Sequence, residues 1–121
     1  MQNFKKTTLL WLALLATSGM TIAQDVYVVG DRWNTFGLSD AIVIKNGERL
    51  YATEPSETID HVGDAILLHN GNVYWAVNSS DGNNRNAFVY KNNEPFLVND
   101  EGSGSRIKAL HADSEGNIYA A

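Results

Sequence analysis

Beyond an apolar leader, hydrophobic residues in this chain alternate with polar ones or gather in short runs. Nowhere do they recur every three to four residues for long enough to make a helix. Nine segments read as β-strands: Asp25–Gly30, Ala41–Lys45, Arg49–Ala52, Ala65–His69, Val73–Val77, Ala87–Lys91, Phe96–Val98, Arg106–Ala112 and Asn117–Ala121. They are rich in β-branched and aromatic residues, which suit a pleated, half-buried surface. Between them, Asn46-Gly47 and Asn70-Gly71 predict two-residue turns with positive φ at both positions, a strong hairpin signal. Asn92-Asn93 is expected to make the same turn, and Asp113–Gly116 a longer one closed by a left-handed glycine. Alternation of tight and long connections puts Asp31–Asp40, Thr53–Gly63, Asn78–Asn86 and Asn99–Ser105 at one end of the sheets.

The strands recur in order. DVYVV begins at Asp25, NVYWA at Asn72 and NIYAA at Asn117, which are 47 and 45 residues apart. A second marker keeps step, with AIVIKNGE from Ala41 and AFVYKNNE from Ala87, 46 residues apart. Two unrelated motifs at one period are an internal repeat, and a period of this length belongs to propellers or solenoids. One unit is strand, tight turn, strand, loop, strand, tight turn, strand, the size of a propeller blade. The array starts at the second strand of one unit, contains one complete unit and ends after the second strand of a third. That gives three, four and two strands.

These segments resemble secreted β-propeller repeat proteins whose units pair a VYVAG-like strand with a KNG hairpin. The resemblance covers Asp25 to Ala121. The Gly-His and Trp-Asp dipeptides of WD repeats and the double glycine of kelch repeats are absent, so it reaches propeller-like repeats in general. It implies an all-β fold of antiparallel four-stranded repeat units, a partial β-propeller of about two and a quarter blades over residues 24–121. An antiparallel β-sandwich is the alternative architecture. Because the third copy of the opening motif breaks off at Ala121, the chain is expected to be a fragment of a longer array.

The leader changes the compartment. Lys5 and Lys6 precede the apolar run Leu9–Ala16, and Thr21 and Ala23 place small residues where a signal peptidase reads them. Residues 1–23 are therefore expected to be a signal peptide cleaved after Ala23, delivering a secreted or periplasmic protein. The run is too short to span a bilayer, so no membrane span is expected after cleavage. Removing Lys5 and Lys6 leaves seven basic residues against 14 acidic ones, a net charge of −7. That field disfavours nucleic acid as a partner. The cysteine count is zero, which excludes disulfides, thiol nucleophiles and thiolate metal sites.

Candidate chemistry is sparse. The long-loop end is expected to carry Arg32, Trp33, Phe36, His61, Asp81 and Arg85, and binding sites favour such loops on a rigid scaffold. Arg32, Trp33 and Arg85 are the candidate ligand-binding residues. Trp33 beside Arg32 suits a sugar ring or a carboxylate, set against a structural role in which Trp33 folds back over the sheet end. His61, His69 and His111 lack the spacing of a metal site, and NSSDGNNRN (Asn78–Asn86) lacks the ligand order of a calcium loop. No hydrolase motif, catalytic residue, metal or cofactor is indicated. Tyr27, Tyr74 and Tyr119 recur at the repeat period and are expected in the core. The reading is a non-enzymatic binding or structural module. It would self-associate or join further blades, with a carbohydrate or protein ligand. The alternative is a fragment of a propeller enzyme acting on polysaccharide, with its catalytic residues beyond Ala121.

Overall fold

Nine β-strands and no helix make up residues 24–99 and 104–121, the part of the chain that this computed structural model describes. Residues 1–23, where a signal peptide is expected, lie outside the described residues. In chain order the strands are β1 (Tyr27–Trp33), β2 (Ser39–Lys45), β3 (Glu48–Ala52), β4 (Asp60–His69), β5 (Asn72–Ser80), β6 (Arg85–Lys91), β7 (Glu94–Asn99), β8 (Leu110–Ala112) and β9 (Ile118–Ala120). They form three antiparallel sheets with orders β1-β2-β3, β4-β5-β6-β7 and β8-β9. The fold is all-β, and its strands number three, four and two per sheet.

Strand ends differ from the hydrophobic pattern. Asp31–Trp33, Ser39-Asp40, Asp60–Gly63, Asn78–Ser80 and Arg85-Asn86 read as loop, yet they are paired in the ladders. Main-chain pairing does not depend on apolar side chains, so the ladders run past the last buried residue. Conversely, residues 106–109 lie before β8, although Lys108 and Ala109 both donate to the Ala121 carbonyl.

The turns obey their backbone chemistry with one exception. Asn46 and Gly47 have φ of 51° and 82°, and Asn70 and Gly71 have 50° and 76°. At the third turn Asn92 has φ of 54°, but Asn93 is not left-handed. Its Cβ resists the second position, which glycine fills in the other two turns.

Asn46 and Asn92 do more than turn the chain. Val26 N–H donates to Asn46 Oδ1 at 2.8 Å, and Asn46 N–H donates to the Val26 carbonyl at 2.8 Å. Val73 N–H and Asn92 repeat this exchange at 3.0 and 2.7 Å. Each turn asparagine thus locks the hairpin tip to the start of the strand before it. The bulges recur as well, between Val43 and Ile44 in β2 and between Val89 and Tyr90 in β6.

The middle sheet packs on both faces. One face puts Val73, Trp75 and Val77 of β5 against Ala41 and Val43 of β2, with Tyr27, Val29, Tyr51, Ile66, Phe88 and Tyr90 around them. The other puts Tyr74, Ala76, Ala65, Ala87 and Val89 against Ile107, Leu110 and Ile118. Every residue from Val73 to Val77 is consequently buried, which the alternation of a one-sided strand would not allow. Trp75 is fully buried, stacks between Tyr51 and Tyr90 at ring distances of 6.4 and 4.8 Å, and donates its indole N–H to the Asn92 carbonyl at 2.7 Å. A buried indole requires such a partner.

Close approach of the first two sheets depends on Gly63. A Cβ there would lie 2.6 Å from the Gly30 carbonyl oxygen and 2.8 Å from Val29 Cγ2. Backbone meets side chain and backbone at this point, so no residue larger than glycine fits without displacing β4 from β1.

The periodic tyrosines differ from one another. Tyr74 is buried and Tyr27 half-buried, whereas Tyr119 is exposed and donates its hydroxyl to Asp113 at 3.0 Å. Tyr119 departs from the expected core position because, among the described residues, no sheet covers that face of β8-β9.

Candidate functional site

The long-loop end carries two clusters. The first is built by Asn34, which follows β1 directly. Its Oδ1 accepts from Phe36 N–H and Leu38 N–H at 2.9 and 3.1 Å, shaping the short β1–β2 connection. Its Nδ2 donates to Asp40 Oδ1 at 3.0 Å and to the Ser56 carbonyl at 3.4 Å. An asparagine turn of this kind is a local alternative to a longer loop.

Asp40 is the unusual member. It is 1% exposed, and its Oδ2 has no hydrogen-bond partner among the described residues. The Arg32 Nε lies 3.8 Å from that oxygen, which makes an ion pair but no hydrogen bond. A buried carboxylate oxygen without a donor carries a desolvation cost that the surrounding fold must hold. Over Asp40 opens a cleft of about 350 Å³ lined by Arg32, Trp33, Asn34, Thr35, Asp40 and Pro55. Trp33 is 79% exposed on its rim. It does not fold back over the sheet end: as the last residue of β1 it projects from the ladder, and the compact Asn34 turn leaves it uncovered.

The second cluster crosses the first two sheets. His61 is not in a loop but on β4, where it faces Ser79 of β5 as a register partner, with Nδ1 2.6 Å from Ser79 Oγ. Burial depresses the His61 pKa, while Asp40 and Asp60 pull it upward. A hydroxyl against a neutral imidazole is where nucleophilic catalysis begins. Here, however, Ser79 is buried, and among the described residues no carboxylate hydrogen-bonds to the imidazole. Asp60 instead accepts from the Ser39 N–H and hydroxyl at 2.9 and 3.2 Å, joining β4 to β2.

Arg85 belongs elsewhere. It opens β6, is exposed, and lines a cavity of about 140 Å³ with Val62, Asn78, Ser79, Ser80, Ser105 and Arg106. The structure leaves Arg32 and Trp33 on one cleft and Arg85 in this separate cavity, between the second sheet and the segment that leads into β8. Asn78 clasps Ile107 there, accepting its N–H and donating to its carbonyl, both at 2.8 Å. Asp64 completes the seam by accepting from Asn78 at 2.6 Å and from Arg106 at 3.0 Å.

The oxygen-rich segment around Asp81 is occupied by its own loop. Asp81 Oδ1 accepts from the N–H groups of Asn83 and Asn84 at 2.9 and 2.7 Å, which lowers its pKa. Among the described residues no group of three or more histidines and carboxylates could hold a metal ion. Nor is any helix there long and apolar enough to cross a membrane.

The sequence pattern marks neither Asp40 nor Asn34 as part of a site. The available signal was Asn34 flanked by Trp33 and a turn, since asparagine hydrogen-bonds locally, but nothing in the string marks Asp40 as buried. Family models, curated proteins and solved structures yield no match to this chain.

Proposed function

We propose that this chain is an exported, non-enzymatic repeat module of β-propeller type, a binding or structural unit completed by self-association or by further blades. One observation carries the reading. The middle sheet is buried on both faces, whereas the first sheet turns exposed Val28 and half-buried Ile42 and Ile44 away from it onto a face that no other described sheet covers. Val28 stands in β1 where Trp75 stands in β5, each opposite the same position of the next strand, Ile44 and Tyr90. A face built like a packed one, on a sheet whose edge β1 pairs only with β2 among the described residues, is the kind of surface that recruits another sheet.

Supporting this is the recurrence of the asparagine lock at Asn46 and Asn92, which repeats hydrogen bonds as well as letters. The test is sedimentation of the full chain recovered after export from an expressing cell. An oligomer with Val28 and Ile44 amides protected from exchange is expected, together with an amino terminus at Gln24. A monomer at all concentrations with those amides fully protected would overturn the association.

A further inference from the structure

We propose that the cleft over Asp40 is a carbohydrate-binding site for a neutral sugar ring, with Trp33 as stacking platform and the Arg32–Asp40 pair as hydroxyl reader. The inference goes beyond the repeat-module reading and does not need association, because every lining residue belongs to the first sheet and its loops.

Two independent features meet there. The first is Asp40 Oδ2, nearly fully buried at the floor of the cleft, an acceptor that lacks a donor among the described residues. The second is Trp33, the most exposed large hydrophobic residue among the described ones, at the rim of the same cleft. Exposed indole faces bind apolar faces of planar or ring-shaped ligands, and their polar edges stay wet. Across the floor, Arg32 Nε stands 3.8 Å from Asp40 Oδ2. That gap is too long for a hydrogen bond between them, but a hydroxyl oxygen about 2.8 Å from each would bridge it. The hydroxyl would accept from the Nε–H and donate to the carboxylate, satisfying both with one group. The other oxygen of Asp40 is already held by Asn34, which fixes the carboxylate in place.

Charge selects the class. A bare anion would meet Asp40, and a bare cation would meet Arg32. A neutral polyol carries both donor and acceptor on each hydroxyl and suits the pair. Arg32 is itself partly exposed and able to swing aside, so the hydroxyl has a way to reach the buried oxygen.

The test titrates the full chain with glucose, galactose, mannose, N-acetylglucosamine and their short oligosaccharides. Indole fluorescence and amide chemical shifts are read in parallel. At least one sugar is expected to saturate, with shifts confined to residues 32–40 and the neighbours of Pro55. Trp33→Ala and Asp40→Asn should each weaken binding by about tenfold or more, and Arg85→Ala should leave it unchanged. Trp33→Ala changes an exposed residue, so it keeps the test valid if Asp40→Asn fails to fold. The proposal is overturned if none of these sugars saturates, or if Trp33→Ala leaves the titration unaltered. Sedimentation of the same sample reports association separately, so the two readings fail independently.

Discussion

The first and second sheets are built from matching strands but live in different surroundings. In the middle sheet Trp75 is fully buried between two tyrosines, whereas in the first sheet Val28 occupies the same register and is 54% exposed. The asparagine lock is part-buried at Asn92 and exposed at Asn46. Strand sequence and hairpin chemistry therefore decide the sheet, and neighbours on each side decide how much each residue is worth. A motif repeated in sequence does not have a repeated energy.

Substitutions at matched positions break or sharpen this contrast. Trp75→Ala should cost about 3–5 kcal/mol in urea unfolding, because it empties a packed site and orphans the Asn92 carbonyl. In the dilute monomer, where its face is open to water, Val28→Ala should stay within about 0.5 kcal/mol. A Val28→Ala cost that grows with protein concentration would instead locate the association surface there.

Glycines offer the second matched pair. Gly63→Ala should destabilise by about 1–3 kcal/mol, since its Cβ would press into the Gly30 carbonyl and Val29. At Gly30 itself no atom of the described residues lies within 4 Å of an added Cβ, and Gly30→Ala should be close to neutral. Equal costs at the two sites would mean that β1 and β4 do not meet as described. Smaller still is the turn pair: Asn92→Gly keeps the left-handed backbone and loses only the side-chain bonds, for about 1 kcal/mol, and Asn46→Gly should cost less because water replaces its exposed bonds.

Much of this architecture could be read in the string, and the reasons are local. Asn-Gly turns, β-branched runs and the two-motif period report backbone preference, which is settled within a few residues. The number of strands and their grouping followed from those signals. What stayed hidden depends on neighbours distant in sequence. Gly63 matters only because Gly30 comes to lie against it, and Asp40 is held in place by Asn34 beside a cleft whose far wall, Pro55, comes from another loop. Trp33 beside Arg32 was visible as a pair, but its exposure reflects a turn too compact to cover it. Strand order puts Arg85 at the same end as these two, and a linear string does not say which sheet seam each residue faces.

The smallest expected effect comes from His61, and its sign follows from burial. Burial disfavours the imidazolium, so the folded-state pKa lies below the ordinary value of 6.5. Between the two values the unfolded chain binds more protons, and stability rises with pH. The contribution is fully present above pH 6.5 and is lost as pH falls through the folded pKa. Unfolding midpoints measured from pH 7.5 down to 5 should decline, and His61→Asn should flatten the decline. Carboxylates act at lower pH: Asp113, held down to about 2 first by its bonds to Asn117, contributes above its ordinary 3.8 and loses that contribution only as pH approaches 2. The two windows are separate, so a fall between pH 7.5 and 5 that survives His61→Asn would show that the seam between the first two sheets is not where acid first loosens the fold.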